Sequence, residues 1–207
     1  MKIIKPSVEI IDKIVPEEMI KKIELCGRVC YKSEDRITAE SGTKFIMNLI
    51  KRGHESVLEH ASFTVRFICD RGVTHEIVRH RLASYSQEST RYCNYSKGDF
   101  DGQITFIKPM FLDEKSEGYA IWEDVCLMAE DRYFKMLNFG CSPQEARAVL
   151  PNSLKTELMM TANIREWRHF LKLRTSPAAH PQMREVADML LEQVNLILPV
   201  FFDDIIL

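Results

Sequence analysis

The chain has 207 residues, of which 45% are hydrophobic and 28% charged, with a formal net charge of -2. That size suits one large domain, and that composition excludes a disordered chain, a collagen and a mini-protein held by disulfides. The near-neutral charge argues against a polycation that binds nucleic acid through bulk charge.

No stretch of the sequence suits a bilayer. The longest strongly apolar run, from Leu196 to Phe202, is interrupted by Pro199, whereas a membrane helix needs roughly 20 apolar residues. The opening MKIIKPSVEI lacks the long apolar core of a secretory signal, so a cytoplasmic protein is expected. Cys26, Cys30, Cys69, Cys93, Cys126 and Cys141 form no C-x-x-C pair. Reduced, mostly buried thiols are expected rather than a zinc ribbon. No repeat, low-complexity tract or linker divides the chain, which reads as a single domain over residues 1–207.

In chain order, Pro16 followed by Glu17 and Glu18 opens a helix to about Cys26, and Gly27 is expected to end it. A second helix is predicted from Ala39 to Lys51, with Phe45, Ile46, Leu49 and Ile50 as its apolar stripe and Gly53 behind it. Residues 54–60 are polar and histidine-containing. Ala61 to Cys69 alternates apolar and polar side chains and reads as a strand. A short helix over about Val73–Arg79 and a short strand over Gln103–Ile107 follow. Glu114 to Phe139 carries one long helical pattern stopped by Gly140. Ser142-Pro143-Gln144-Glu145 is a capping box that starts another helix, cut short by Pro151. Leu154 to Asn163 fits strand or helix, with strand preferred. Ile164–Leu173 and Pro181–Leu198 read as helices. The expected fold class is α+β: a small, mostly antiparallel sheet packed by long helices.

Metal chemistry is the first candidate. His75-Glu76 and His80 resemble a zincin helix, but the histidines stand five apart rather than four and would splay on a helix. His54, Glu55, Glu59 and His60 form another polar cluster, read as polar packing or substrate contact, and no metal is expected. Nucleotide binding is the second candidate. Neither G-x-G-x-x-G nor G-x-x-x-x-G-K-[ST] is present, so any phosphate must be gripped by guanidinium groups. Residues 79–92 supply them: Arg79, His80, Arg81 and Arg91 among hydroxyls, with no lysine. By composition this is either a solvated loop or a cleft wall. Arg165, Arg168 and His169 share one helical surface, which by itself reads as a solvated face. Arg147, in an otherwise apolar segment, reads as a surface salt-bridge partner.

The segment RHRLASYSQES at Arg79–Ser89 contains R-H-R, seven residues, then Ser. In this it resembles the flavin-dependent thymidylate synthases. HESVLEHASFTVRF before it, EARAVLP around Arg147, NIREWRHFLKLR at Asn163–Arg174 and GRVCY at Gly27–Tyr31 resemble further family segments in family order. The resemblance implies reductive methylation of deoxyuridine monophosphate (dUMP) to dTMP. It implies 5,10-methylenetetrahydrofolate as carbon donor, FAD as cofactor and NADPH as its reductant. A homotetramer with active sites at subunit interfaces is also implied, with no nucleic acid or membrane partner.

Carried over residue by residue, Glu76, Arg79, Gln87, Ser89, Arg91 and Arg174 meet dUMP, with Arg147 contributing from another subunit. Arg174 is the catalytic residue that polarises the uracil ring. Ser56, Glu59, Arg79, His80, Arg81, Gln87, Asn163, Arg165 and His169 match flavin-contacting positions, and His54 lies near flavin and folate. No base adjoins Ser89 to make it a nucleophile, and no cysteine stands at a family catalytic position. Glu76 stands where many members have Gln, and an ionised carboxylate cannot donate the amide hydrogen bond. Cys30 and AAHPQMREVA also depart from the family pattern. Two alternatives remain: a flavin-dependent NAD(P)H oxidase without methyl transfer, and a nucleotide- or RNA-binding module that stacks bases on Tyr85, Tyr92 and Tyr95.

Overall fold

A computed structural model describes residues 1–205. Contacts group the chain into two compact units, each assembled from separate stretches. The first contains Met1–Ser7, Phe67–Arg79 and Ser86–Leu158; the second contains Val8–Arg66, His80–Tyr85 and Met159 onward.

The strands are β1 (Lys2–Ile4), β2 (Ser7–Ile10), β3 (Ser62–Asp70), β4 (Ala83–Gln87), β5 (Thr105–Ile107) and β6 (Lys155–Asn163). They form an antiparallel sheet in the order β2-β3-β6-β4 and a separate parallel pair, β1-β5, in which Ile3 lies opposite Phe106. The α+β expectation of a small, mostly antiparallel sheet among long helices therefore holds. Along β3 the alternation read from the sequence is realised, with Phe63, Val65, Phe67 and Cys69 all buried. The ambiguous 154–163 stretch is a strand with the same strict alternation of burial.

In the first unit, α3 (Arg71–Ile77) is capped by Asp70, whose Oδ1 accepts from Val73 N at 2.8 Å. This helix starts earlier than its apolar pattern indicated, and it ends before Arg79. Next, α4 (Glu117–Asn138) buries Cys126, Ala129 and Tyr133 along one stripe. They join a core with Tyr95, Ile104, Phe106, Ala146 and Leu154. Gly140, at φ 91°, lets the chain leave α4 in a conformation that other residues resist. The expected capping box opens the single-turn helix α5 (Pro143–Ala146), where Ser142 N donates to Glu145 Oε2 at 2.7 Å.

The second unit holds α1 (Pro16–Val29), α2 (Ser41–Lys51), α6 (Ile164–Arg174), α7 (Pro181–Ile197) and α8 (Pro199–Phe202). Trp167 on α6 stacks on Phe63 with ring centroids 5.1 Å apart, and its indole donates to the Phe63 carbonyl at 3.1 Å. On α7, Met183, Val186, Ala187, Leu190, Leu191 and Val194 are buried at helical spacing.

The end of α1 also differs from the sequence reading. Gly27 does not end α1, which continues through it to Val29. A Cβ on Gly27 would stand 2.5 Å from the Phe45 ring, and one on Gly42 2.5 Å from Ile20 Cγ2. These glycines allow α1 and α2 to approach closely, at a propensity cost of roughly 1 kcal/mol each. Gly42→Val is expected to destabilise the protein by about 2 kcal/mol through overpacking, read as a lowered urea midpoint. An unchanged midpoint would contradict this account of the helix contact.

Two further differences concern polar strands. β2 and β4 carry too few large apolar residues to stand out, and β4 lies inside the Arg-rich block read as a loop or cleft wall. Its side chains alternate between half-buried Ala83, Tyr85 and Gln87 and exposed Ser84 and Ser86. Among the described residues no helix is long and apolar enough to cross a membrane.

Candidate active site

In the first unit, the end of β3, the end of β4 and the turn after α5 converge on one polar pocket. Its cavity of about 210 Å³ is lined by Arg71, Thr90, Arg147 and Asn152, with Ala148, Leu150, Pro151 and Leu154 as apolar walls. Arg147 Nη1 donates to Thr90 Oγ1 at 3.1 Å, and Arg71 Nη1 reaches the Glu88 carbonyl at 3.4 Å. Gln87 Nε2 donates to Thr74 Oγ1 at 3.1 Å and Thr156 Oγ1 at 3.3 Å, which fixes its amide beside the same turn. Ser89 Oγ accepts from Arg91 N at 3.3 Å. Arg91 is exposed, its guanidinium 5.4 Å from the Tyr92 ring centroid. Arg79 is exposed beyond α3, with Nε 3.4 Å from the His75 carbonyl, and Glu76 is half-buried.

A cavity with two guanidinium groups, a hydroxyl and an amide, and with no glycine loop, has the donor set of a phosphate site. Arg71 was not singled out in the sequence. It opens α3 directly after β3, ahead of the apolar pattern that marks this helix only from Val73. Arg147, read as a surface salt-bridge partner, hydrogen-bonds a threonine hydroxyl instead.

In the second unit, α6 organises a different set. Asn163 caps the helix, its Oδ1 accepting from Glu166 N at 2.8 Å. Arg165 and His169 are exposed, and Arg165 Nη1 pairs with Glu59 Oε1 at 2.6 Å. His54, Ser56 and Arg81 are also exposed. Arg168 departs from the solvated face expected for it: its side chain is 1% exposed. Its guanidinium binds Glu55 at 3.2 Å, both oxygens of Asp204 at 2.6 and 2.7 Å, and the Phe201 carbonyl.

His80 is equally buried. Its Nδ1 lies 2.9 Å from Glu166 Oε1, and its Nε2 lies 3.1 Å from Arg174 Nε. The ring packs edge-on against Phe170, centroids 4.9 Å apart, with His169 at 5.4 Å. Burial holds the imidazole below its ordinary pKa, and the Arg174 charge acts in the same direction against the opposing pull of Glu166. The Tyr85 hydroxyl donates to the His80 carbonyl at 2.5 Å. Burial pushes that phenol up to about 12.

The residues expected to meet dUMP therefore fall in the first unit apart from Arg174. Those expected to meet flavin fall in the second apart from Arg79 and Gln87. Two of these residues are already engaged by protein groups. The His80 ring is buried against protein groups, and the Asn163 side-chain oxygen is engaged as a helix cap. Ligand atoms of His80, Glu166 and His169 lie within 4.8 Å of one another. Both ring nitrogens of His80 are already hydrogen-bonded, one to a guanidinium, so this trio does not present a free donor set for a cation. Of the tyrosines considered for base stacking, Tyr95 is 3% exposed and buried in the core, whereas Tyr92 is 78% exposed.

At three of the cysteines burial disfavours the thiolate. Burial pushes the Cys126 thiol up to about 12 and raises Cys69 and Cys93 as well, and the nucleophile is the thiolate. Cys69→Ala and Cys93→Ala are each expected to retain dTMP formation within a few-fold in a turnover assay. Complete loss in a folded variant of either would point to a covalent cysteine adduct.

Comparison with known proteins now gives the class. Over residues 9–200 the sequence matches the family described as thymidylate synthase complementing protein, and the chain belongs to that family of transferase enzymes. A flavin-dependent thymidylate synthase of Pyrococcus furiosus is 36% identical over 173 residues, covering 83% of this chain and 70% of that protein. One from Geobacter sulfurreducens is 33% identical over 189 residues, covering 88% and 80%. The fold matches a crystal structure of the UMP/dUMP methylase PolB from Streptomyces cacaoi bound with 5-Br dUMP. That match has TM-score 0.81 and 25% identity over 98% of this chain and 96% of that one.

Proposed function

We propose that the protein methylates dUMP reductively to dTMP, with 5,10-methylenetetrahydrofolate as carbon donor and FAD, reduced by NADPH, as hydride source. The observation that carries this reading is the family match over residues 9–200, which includes the whole Arg79–Ser89 motif. The phosphate-type pocket of Arg71, Thr90 and Arg147 supports a nucleotide monophosphate as substrate. The 5-Br dUMP bound to PolB and the names of the curated relatives point to the same chemistry.

In this reading Arg147 and Arg71 grip the 5′-phosphate through charge-assisted hydrogen bonds. Gln87, Ser89, Arg91, Arg79 and Glu76 orient the sugar and base. Gln87 is pre-organised by its two threonine partners, so its amide needs little reordering on binding. Glu76 stands where an amide could both donate and accept, and its carboxyl offers acceptor oxygens there. Arg174 places a fixed cation beside the pyrimidine and stabilises negative charge that develops on the ring.

The donor set of the second unit fits a flavin dinucleotide. Arg81, Arg165 and His169 are exposed cationic or hydrogen-bonding groups able to face a pyrophosphate without a glycine loop. Ser56, Glu59 and Asn163 complete the set in this unit, with His54 assigned to the flavin and folate end. When bound, FAD supplies the hydride that turns the transferred one-carbon unit into a methyl group. A homotetramer is part of the reading. Ile121, at 67% exposure, and Leu127 and Met128, at 48%, leave apolar surface on α4 suited to subunit contact.

The test is a turnover assay with purified protein, with dUMP, methylenetetrahydrofolate, NADPH and FAD each omitted in turn. The reading expects dTMP only when all four are present. NADPH oxidation without dTMP under full conditions would reduce the protein to a flavin oxidase.

A further inference from the structure

We propose that Glu166 and His80 are a positioning pair that sets the orientation of the Arg174 guanidinium. This rests on the role given to Arg174 in dUMP methylation, and it assigns His80 a function other than flavin contact.

An arginine Nε has a hydrogen to give and no lone pair to offer. With Arg174 Nε 3.1 Å from His80 Nε2, that ring nitrogen accepts and carries no proton. The proton of the neutral imidazole then sits on Nδ1 and is donated to Glu166 Oε1 at 2.9 Å. One tautomer satisfies both contacts. Glu166 enforces it, because a carboxylate accepts at Nδ1 and disfavours the alternative in which Nε2–H would point at Arg174 Nε–H.

Burial makes the arrangement rigid. The side chains of His80 and Glu166 are 2% and 8% exposed. Asn163 caps the backbone of Glu166, Tyr85 holds the His80 carbonyl, and Phe170 packs the ring edge. Burial and the Arg174 charge both keep the imidazole neutral, as the acceptor role requires. Binding at Nε fixes the plane of the guanidinium fork, whose terminal Nη groups carry the donors needed at a substrate. A displacement of about 1 Å at such a group can cost roughly a hundredfold in rate.

Three variants test this: His80→Phe, which keeps a ring of similar volume but removes the acceptor; Glu166→Gln, which keeps shape but can donate to Nδ1 and so permits the wrong tautomer; and Arg174→Ala, alone and combined with His80→Phe. The expected result is a kcat for dTMP formation lower by about a hundredfold in His80→Phe and roughly tenfold in Glu166→Gln. KM for dUMP and flavin content stay close to wild type. Because His80 acts through Arg174, adding His80→Phe to Arg174→Ala should lower kcat no further.

A second readout does not depend on turnover. In a spectrum of 15N-arginine-labelled protein, the Arg174 Nε–H signal, assigned by its loss in Arg174→Ala, should exchange slowly in wild type and quickly in Glu166→Gln. Additive losses, wild-type kcat in His80→Phe, flavin loss as its main defect, or an Arg174 signal unaffected by Glu166→Gln would each overturn the proposal. A wild-type protein that makes no dTMP, yet shows the protected Nε–H, would instead remove the reading of function and leave the positioning pair standing.

Discussion

Arg174→Ala is expected to lower kcat for dTMP formation by roughly a hundred- to a thousandfold while the protein keeps its flavin spectrum. Losing one pre-organised donor at a developing charge has effects of that size, because the group is already aimed and partly withdrawn from water. Arg174 meets these conditions: it lies half-buried at the end of α6, with its Nε held by a buried imidazole. The measurement is steady-state turnover together with the visible spectrum of the same preparation. Near-normal turnover would remove Arg174 from the chemistry and leave its tethering to His80 without a catalytic purpose.

Arg168→Met is expected to act on stability instead. Arg168 joins three parts of the second unit: α6, the turn at Glu55 and the chain after α8 at Asp204. Breaking such a buried pair costs about 3 kcal/mol, which for a chain of this length lowers Tm by roughly 6–12 °C. The pH dependence has a definite sign. Hydrogen bonds and charge from Arg168 hold the Asp204 carboxyl below its usual 3.8. A depressed carboxylate stabilises the fold fully above its unfolded value, and the contribution is lost as pH falls through the folded one. The gap in Tm between wild type and Arg168→Met should therefore be constant near neutrality and narrow below about pH 4. A variant melting with wild type at pH 7 would contradict the role of this cluster.

Local signals in the sequence carried well into the structure. Alternation along β3, the Ser142–Glu145 capping box and the stop at Gly140 each depend on residues a few positions apart. What failed depended on partners far away in the chain. Arg168 sits at helical spacing with exposed Arg165 and His169, and its burial is decided by Glu55, 113 residues earlier, and Asp204, 36 residues later. Gly27 resembles a helix stop until Phe45 is seen against it. β4 is too polar to read as a strand, because its inward positions include Tyr85 and Gln87, which hydrogen-bond rather than join an apolar core.

The candidate site divides the same way. The Arg79–Ser89 motif ends one residue before Thr90, which lines the pocket. The phosphate-type pocket needed Arg71, which no pattern marks, and the His80 contacts needed Glu166, 86 residues away. Spacing had argued against a zinc helix through His75 and His80. The structure adds that the chain leaves α3 at Ile77, so His80 belongs to a different environment from His75.

The measurement that bears most directly on the whole account is a single turnover. Protein loaded with FAD is reduced anaerobically by a limiting amount of NADPH, then mixed with methylenetetrahydrofolate and dUMP while flavin absorbance and dTMP are followed together. The account predicts that flavin reoxidation requires both additions and that one dTMP appears for each flavin reoxidised. Reoxidation without dTMP, or dTMP formed while the flavin stays reduced, would contradict it.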